Sequence, residues 1–176
     1  RLEALRSTHL LDSAPEASFD RHTRIAARLL DAPVALVSLV DIDRQFFKSA
    51  VGLPEPWATL RQTPLSHSFC RLVVETGEPL VVDNALQDPR VKDNGAVRDI
   101  GVVSYLGVPL RHVDDSVLGS FCVIDVKTRK WTDADREILR DLAESVMTEI
   151  TLRGEKTAAA RLNDRYSAIL DAATDV

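Results

Sequence analysis

Two pairs of strand-like segments, each joined by a link too short to hold a helix, set the strongest limit on how this chain folds. Residues 34–40, Val-Ala-Leu-Val-Ser-Leu-Val, are apolar, rich in β-branched side chains and of strand length. Three residues, Asp41-Ile-Asp43, separate them from a second strand over residues 45–51, where Phe46 and Phe47 fall on opposite faces. Residues 102–110 and 117–126 repeat the arrangement, with His112-Val-Asp-Asp-Ser116 as the hairpin tip. Parallel neighbours need a crossover of about a dozen residues or more, so both pairs run antiparallel. The outcome is an α+β chain built on a largely antiparallel sheet with helices packed against it.

The remaining segments supply those helices. Leu2, Leu5, His9 and Leu10 give residues 1–11 a short amphipathic pattern, and Ser13-Ala-Pro15 ends it. A second helix, with Ser18 as its cap, is expected to run to Leu30, with Phe19, His22, Ile25, Ala26 and Leu29 on one face. Residues 52–64 hold three prolines and one glycine and read as a loop. A helix over residues 69–75 is closed by Gly77, followed by a short strand over residues 80–83. Residues 94–99 form a short helix ended by Gly101. Thr132-Asp-Ala-Asp135 has the spacing of a capping box, and a long helical pattern follows from residue 133 to residue 173.

Composition excludes several classes. Hydrophobic residues make up 45% and charged residues 28% of 176 residues, enough for one real core. A net charge of −5 argues against a nucleic-acid footprint. No apolar run approaches the ~18–20 residues that span a membrane. The chain opens Arg-Leu-Glu-Ala-Leu, with neither a signal-peptide pattern nor an initiating Met, and is expected to be a piece of a longer cytoplasmic protein. Its two cysteines, Cys70 and Cys122, make no disulfide framework, although a single bridge is open.

The middle of the chain resembles the GAF family. Pro64-Leu-Ser-His-Ser-Phe-Cys-Arg71, Thr76-Gly-Glu-Pro-Leu80, Val82-Asp-Asn84, Asp88-Pro-Arg90, Tyr105-Leu-Gly-Val-Pro-Leu110 and Leu118-Gly-Ser-Phe-Cys-Val-Ile-Asp125 follow that family's progression, and the likeness runs from Ala17 to Ile150. The resemblance implies an α/β/α sandwich with a central, mostly antiparallel six-stranded sheet and a long C-terminal signalling helix. It implies three regions: an N-terminal helix over residues 1–15, a GAF domain over 16–152, and a coiled-coil linker over 153–176. Residues 166–176 are similar to the opening helix of a PAS domain. GAF domains joined this way sit in bacterial histidine kinases, diguanylate cyclases and phosphatases, so an output domain in the same chain is expected.

Ala159, Leu162, Tyr166, Ile169 and Ala173 are spaced 3, 4, 3, 4, which is a coiled-coil seam and implies a homodimer. Upstream, Ile138, Leu142, Val146 and Ile150 recur every fourth residue, which suits docking on a domain. All eight residues from Ile138 to Ile169 are assigned to the dimer and signalling helix. Gly154 lies between the two stripes, either as a simple end of the folded body or as a joint where helix register changes.

For chemistry, His67 and Cys70 are three apart at a helix start, so they can meet on one face, where an imidazolium lowers a thiol pKa. That would make Cys70 a redox sensor or a thiol enzyme; the alternative is a small apolar side chain in the core. Relatives of the fold that attach a bilin through cysteine, in some groups Cys-His, differ here because Cys70 precedes Arg71. Free methionine sulfoxide reductases use a set of cysteines, against two here, and haem sensing has no named ligand. The cyclic-nucleotide signature is incomplete: Asn84, Lys92 and Asn94 are present, but the later Phe and the Asp-Glu pair are not. No metal site, phosphate loop or nucleophile elbow occurs in the sequence. The expectation is therefore a non-catalytic module without a bound cofactor, whose small-molecule pocket lies between the sheet and residues 84–101. Its candidate walls are Phe69, Val97, Ile100, Tyr105, Gly107 and Phe121, and its candidate polar groups are His67, Cys70, Asn84, Arg90 and Arg98.

Overall fold

The computed structural model describes the backbone of residues 1–174 and the side chains of residues 1–172. The element order is α1 (Leu2–Ser7), α2 (Ala17–Leu29), β1 (Val34–Val40), β2 (Arg44–Val51), α3 (Trp57–Leu60), β3 (Gln62–Pro64), a 3-10 turn (Leu65–His67), α4 (Cys70–Thr76), β4 (Leu80–Val82), α5 (Gly95–Asp99), β5 (Ser104–Arg111), β6 (Val117–Asp125) and α6 (Asp133–Thr174). Six strands form one antiparallel sheet in the order β3-β2-β1-β6-β5-β4. This is the expected α+β sandwich: α1, α2 and α6 cover one face, and α3, α4 and α5 cover the other.

Strand alternation sorts the side chains into two cores. Ala35, Val37 and Leu39 of β1, Leu106, Val108 and Leu110 of β5, and Phe121 and Val123 of β6 face α2 and α6. Leu36 and Val40, Phe47, Tyr105, Cys122 and Ile124 face α4 and α5. Phe46 and Phe47 fall on opposite faces, as alternation requires. A β-bulge between Val37 and Ser38 leaves Lys48 without an opposite residue, so Lys48 and Ser49 both turn toward α2 and the segment before it. Lys48, fully buried, donates to Ser13 Oγ (2.8 Å), the Ala14 carbonyl (2.7 Å) and Glu16 Oε1 (2.6 Å).

Several local readings need correction. The first helix stops at Ser7, because Thr8 Oγ1 bonds back to the Leu5 carbonyl and His9 adopts φ 54°. Glu16, not Ser18, is the N-cap of α2, and it makes no side-chain capping bond. The expected loop over residues 52–64 contains α3 and the sixth strand, β3. β3 has no hydrophobic pattern of its own; it forms because Arg44, Gln45 and Phe46 of β2 offer it a free edge. The capping box is real: Asp135 N donates to Thr132 Oγ1 (3.1 Å) and Thr132 N to Asp135 Oδ2 (2.9 Å).

α6 runs unbroken through Gly154, where the helix leaves the folded body without a break in the helix itself. A lone helical Gly costs only about 1 kcal/mol relative to Ala, which a continuous hydrogen-bonded helix absorbs. The face that docks on the body is Leu139, Ala143, Val146 and Ile150, with Ile138 and Leu142 half-buried beside it. The stripe expected to dock, Ile138, Leu142, Val146 and Ile150, does pack on the body, with Val146 and Ile150 in the core itself; Leu139 and Ala143 are buried beside it and were not assigned to it. Arg153 makes the last described tie to the body, donating to Glu16 Oε1 (2.8 Å) and the Thr8 carbonyl (2.9 Å). Beyond it Ala159, Leu162, Tyr166 and Ile169 are exposed. At 3.6 residues per turn they lie on roughly the opposite side of the helix from the docking face. The side chain of Ala173, and Asp175 and Val176 of the PAS-like segment, lie outside the described residues.

Candidate functional site

One buried amide organises the face covered by α4 and α5. Gln45 of β2 fills all four of its hydrogen-bonding positions. Oε1 accepts from Ser38 Oγ (3.2 Å) and Ser68 Oγ (2.7 Å), while Nε2 donates to Thr63 Oγ1 (2.6 Å) and the His67 carbonyl (3.3 Å). β1, β2, β3 and the 3-10 turn are thereby tied together. Asn94 extends the network: its Oδ1 caps α5 at Ala96 N (3.0 Å), and its Nδ2 donates to the Ser68 carbonyl (3.2 Å).

His67 closes the outer side. Its ring lies 5.4 Å from that of Trp57 and rests on Gly95, where an added Cβ would come within 2.5 Å of it. His67 Nε2 meets Asp99 Oδ2 at 2.8 Å, and Nδ1 meets Ser66 Oγ at 3.0 Å. The Asp99 carboxyl is held down to about 2 by hydrogen bonds first from Arg98 and then from His67. The expected His67–Cys70 contact does not form. Ser68 is extended (φ −108°, ψ 115°) and separates the two residues, so they do not share a helical face.

Behind His67 lies a small cavity of about 20 Å³, lined by Leu36, Phe47, Phe69, Cys70, Tyr105 and Cys122 among others. That volume has room for about one water. Cys70 Sγ and Cys122 Sγ are 3.8 Å apart and fully buried. Tyr105 Oη donates to Cys70 Sγ (3.3 Å) and lies 3.2 Å from Ser120 Oγ. The Cys122 thiol, followed by the Tyr105 hydroxyl, pulls the Cys70 pKa below the ordinary thiol value against desolvation. Burial pushes Cys122 and Tyr105 upward.

The structure brings together about half of the expected site. His67, Phe69, Cys70, Ile100 and Tyr105 line the cavity. Gly107 sits beneath the Tyr105 ring, where a Cβ would lie 2.2 Å from Oη. Val97 packs at the margin of this core without lining the cavity. Phe121 belongs to the opposite core, because it pairs with Val108 one residue out of phase with Cys122. Arg98 projects into solvent and pairs with Asp99 at 2.8 Å. Asn84 and Arg90 border a separate open depression, where Arg90 donates to the Val81 carbonyl (2.8 Å) and Asp88, and Asn84 Oδ1 accepts from Leu86 N (3.1 Å).

Gln45, Trp57, Asp99 and Cys122 complete the site and were not assigned to it from sequence. A glutamine beside two phenylalanines in a strand is a readable signal for Gln45. No local spacing links Cys122 to Cys70. A larger groove of about 590 Å³ lies on the other face between α6 and β5, with Val108, Pro109, Met147 and Leu152 on its apolar side and Arg111, Arg140 and Glu144 at its rim. Among the described residues no group of three or more His, Cys, Asp or Glu side chains is placed to hold a metal ion. No described helix is long and apolar enough to cross a membrane.

These features agree with comparisons to known proteins. The family model described as GAF domain matches residues 14–150. Cyclic di-GMP phosphodiesterase PA2567 of Pseudomonas aeruginosa is 34% identical over 147 residues, which cover 82% of this chain and 24% of that protein. The chain thus spans about a quarter of the length of that relative. The GAF domain of an Acinetobacter phosphoenolpyruvate-protein phosphotransferase superposes with a TM-score of 0.66 at 20% identity, covering 89% of this chain and 96% of that one. Free methionine-R-sulfoxide reductase of Neisseria meningitidis, solved with its substrate, gives 0.62 at 15% identity, covering 89% of each chain. At such identities these likenesses establish the fold alone. With the family model covering most of its length, this chain belongs to the GAF domain family.

Proposed function

We propose that this domain is a non-catalytic regulatory module that carries conformational information along α6 to an output domain of the same chain. The observation that supports this reading is the division of α6. Its first turns are sealed into the core through Leu139, Ala143, Val146 and Ile150. The rest of the same continuous helix stands clear of the body, with Leu162, Tyr166 and Ile169 exposed. A 42-residue helix is about 63 Å long, so a shift at the docked end travels rigidly to the far one. In this reading the exposed stripe pairs with that of a second copy to form a parallel homodimer in the cytoplasm. A PAS domain is the proposed next module, and the output enzyme is a signalling enzyme such as a cyclic di-GMP phosphodiesterase, the activity carried in the name of the relative.

A non-catalytic role is supported by the engagement of the reactive groups. His67 is occupied by Asp99 and Ser66, and the nearest partners of Cys70 are a thiol and a phenol rather than a base. A small-molecule signal entering the small cavity would pass beside His67, which pairs with Asp99. Analytical ultracentrifugation tests the reading. A dimer is expected for the 176-residue chain, and it is expected to be lost in Leu162→Glu/Ile169→Glu with the fold unchanged. A monomer at high concentration would refute the pairing.

A further inference from the structure

We propose that Cys70 and Cys122 form a redox-active dithiol, which hydrogen peroxide converts into an intramolecular disulfide. The proposal stands on the geometry of the two sulfurs and is independent of the helix-output reading. Cys70 opens α4 and Cys122 lies mid-way along β6, 52 residues later, yet their sulfurs are 3.8 Å apart on one face of the sheet. A disulfide needs about 2 Å between sulfurs, so closing the bond requires a side-chain shift of under ~2 Å. The pair borders a cavity large enough for a molecule of about water size. Its lining is mostly apolar, with Tyr105, whose Oη donates to Cys70 Sγ (3.3 Å), and Gln45 as polar members.

Cys70 is the attacking sulfur, because the neighbouring Cys122 thiol and then the Tyr105 hydroxyl favour its thiolate, while burial holds Cys122 protonated. The Cys70 sulfur attacks one peroxide oxygen and the O–O bond breaks. The departing oxygen takes up the proton released by the Cys70 thiol and leaves as water. Cys70 is left as a sulfenic acid. The Cys122 sulfur then attacks the Cys70 sulfur, the S–O bond breaks, and the hydroxyl leaves as water with the Cys122 proton. The two thiols lose two electrons and two hydrogens, and the peroxide gains both.

The test is peroxide treatment of the reduced 176-residue chain, followed by intact mass and non-reducing tryptic mapping. The expected result is a loss of two hydrogens, reversed by dithiothreitol, with residues 62–71 joined to residues 112–127. Cys122→Ser is expected to stop at Cys70 sulfenic acid, trapped by dimedone as a stable adduct. Both thiols remaining alkylatable, under peroxide that fully oxidises an equimolar cysteine peptide, would overturn the proposal. So would oxidation that leaves separate oxygen adducts on each sulfur, or disulfides only between chains. The mapping on the unaltered protein decides the matter even if the variant fails to fold.

Discussion

Replacing Gly107 with Ala introduces one methyl group at the point where β5 passes under Tyr105. The new Cβ would lie 2.2 Å from Tyr105 Oη and 2.6 Å from its Cζ. Reaching an ordinary contact distance requires the ring to move by more than ~1 Å. Tyr105 is 1% exposed, its ring centroid is 5.2 Å from that of Phe69, and the neighbouring cavity of about 20 Å³ is too small to take the displaced ring. Overpacking of this kind costs about 1–3 kcal/mol. Displacing Oη from Cys70 and Ser120 leaves a buried hydroxyl poorly bonded, for about 1–3 kcal/mol more. A loss of about 3 kcal/mol is expected, equivalent to roughly 6–12 °C in melting temperature for a chain of this size. Urea unfolding followed by tryptophan fluorescence measures it. In a Tyr105→Leu background, which removes the obstructing hydroxyl and ring edge, the cost of Gly107→Ala should fall below about 1 kcal/mol. An unchanged cost in that background, or near-wild-type stability of the single variant, would refute the packing argument.

Three further outcomes are expected. Glu16→Ala leaves the buried Lys48 ammonium with neutral acceptors only and leaves Arg153 tied to the Thr8 carbonyl alone, so about 2–3 kcal/mol should be lost, with faster amide exchange around residues 151–157 of α6. Gln45→Leu strands Ser38, Thr63, Ser68 and the His67 carbonyl, so it should cost about 2–4 kcal/mol and change the fluorescence of Trp57, which sits against His67. Stability should also fall with acid. The Asp99 carboxyl, held by Arg98 and His67, and the Asp114 carboxyl, held by the Ser116 backbone N–H and by His112, both titrate at about 2 in the folded chain instead of 3.8. Protons bind the unfolded chain first, so these contributions are intact above the ordinary carboxylate range and are lost as pH falls toward about 2, which urea midpoints from about pH 5 downward will show.

The opening reading of two strand pairs was legible because it depends on covalent periodicity and link length. Apolar, strand-length runs at residues 34–40 and 117–126 and the short links at 41–43 and 112–116 leave few ways to close a sheet, and Gly77 and the Thr132–Asp135 box mark helix ends by local hydrogen bonding. β3 escaped notice because its three residues acquire strand form only from the edge of β2. Phe121 was assigned to the wrong face because a strand buried on both sides shows no alternation of polar and apolar residues to mark its phase.

By itself, then, the sequence determined the antiparallel sheet, its helical layers and the helix that leaves the domain. Tertiary structure alone decided that Cys70 meets Cys122, that His67 turns to Asp99 instead of Cys70, and that Lys48 anchors Glu16 beside Arg153. Those contacts join segments from 32 to more than 100 residues apart. Their partners are set by strand order and by the bulge at Lys48, which local spacing does not encode.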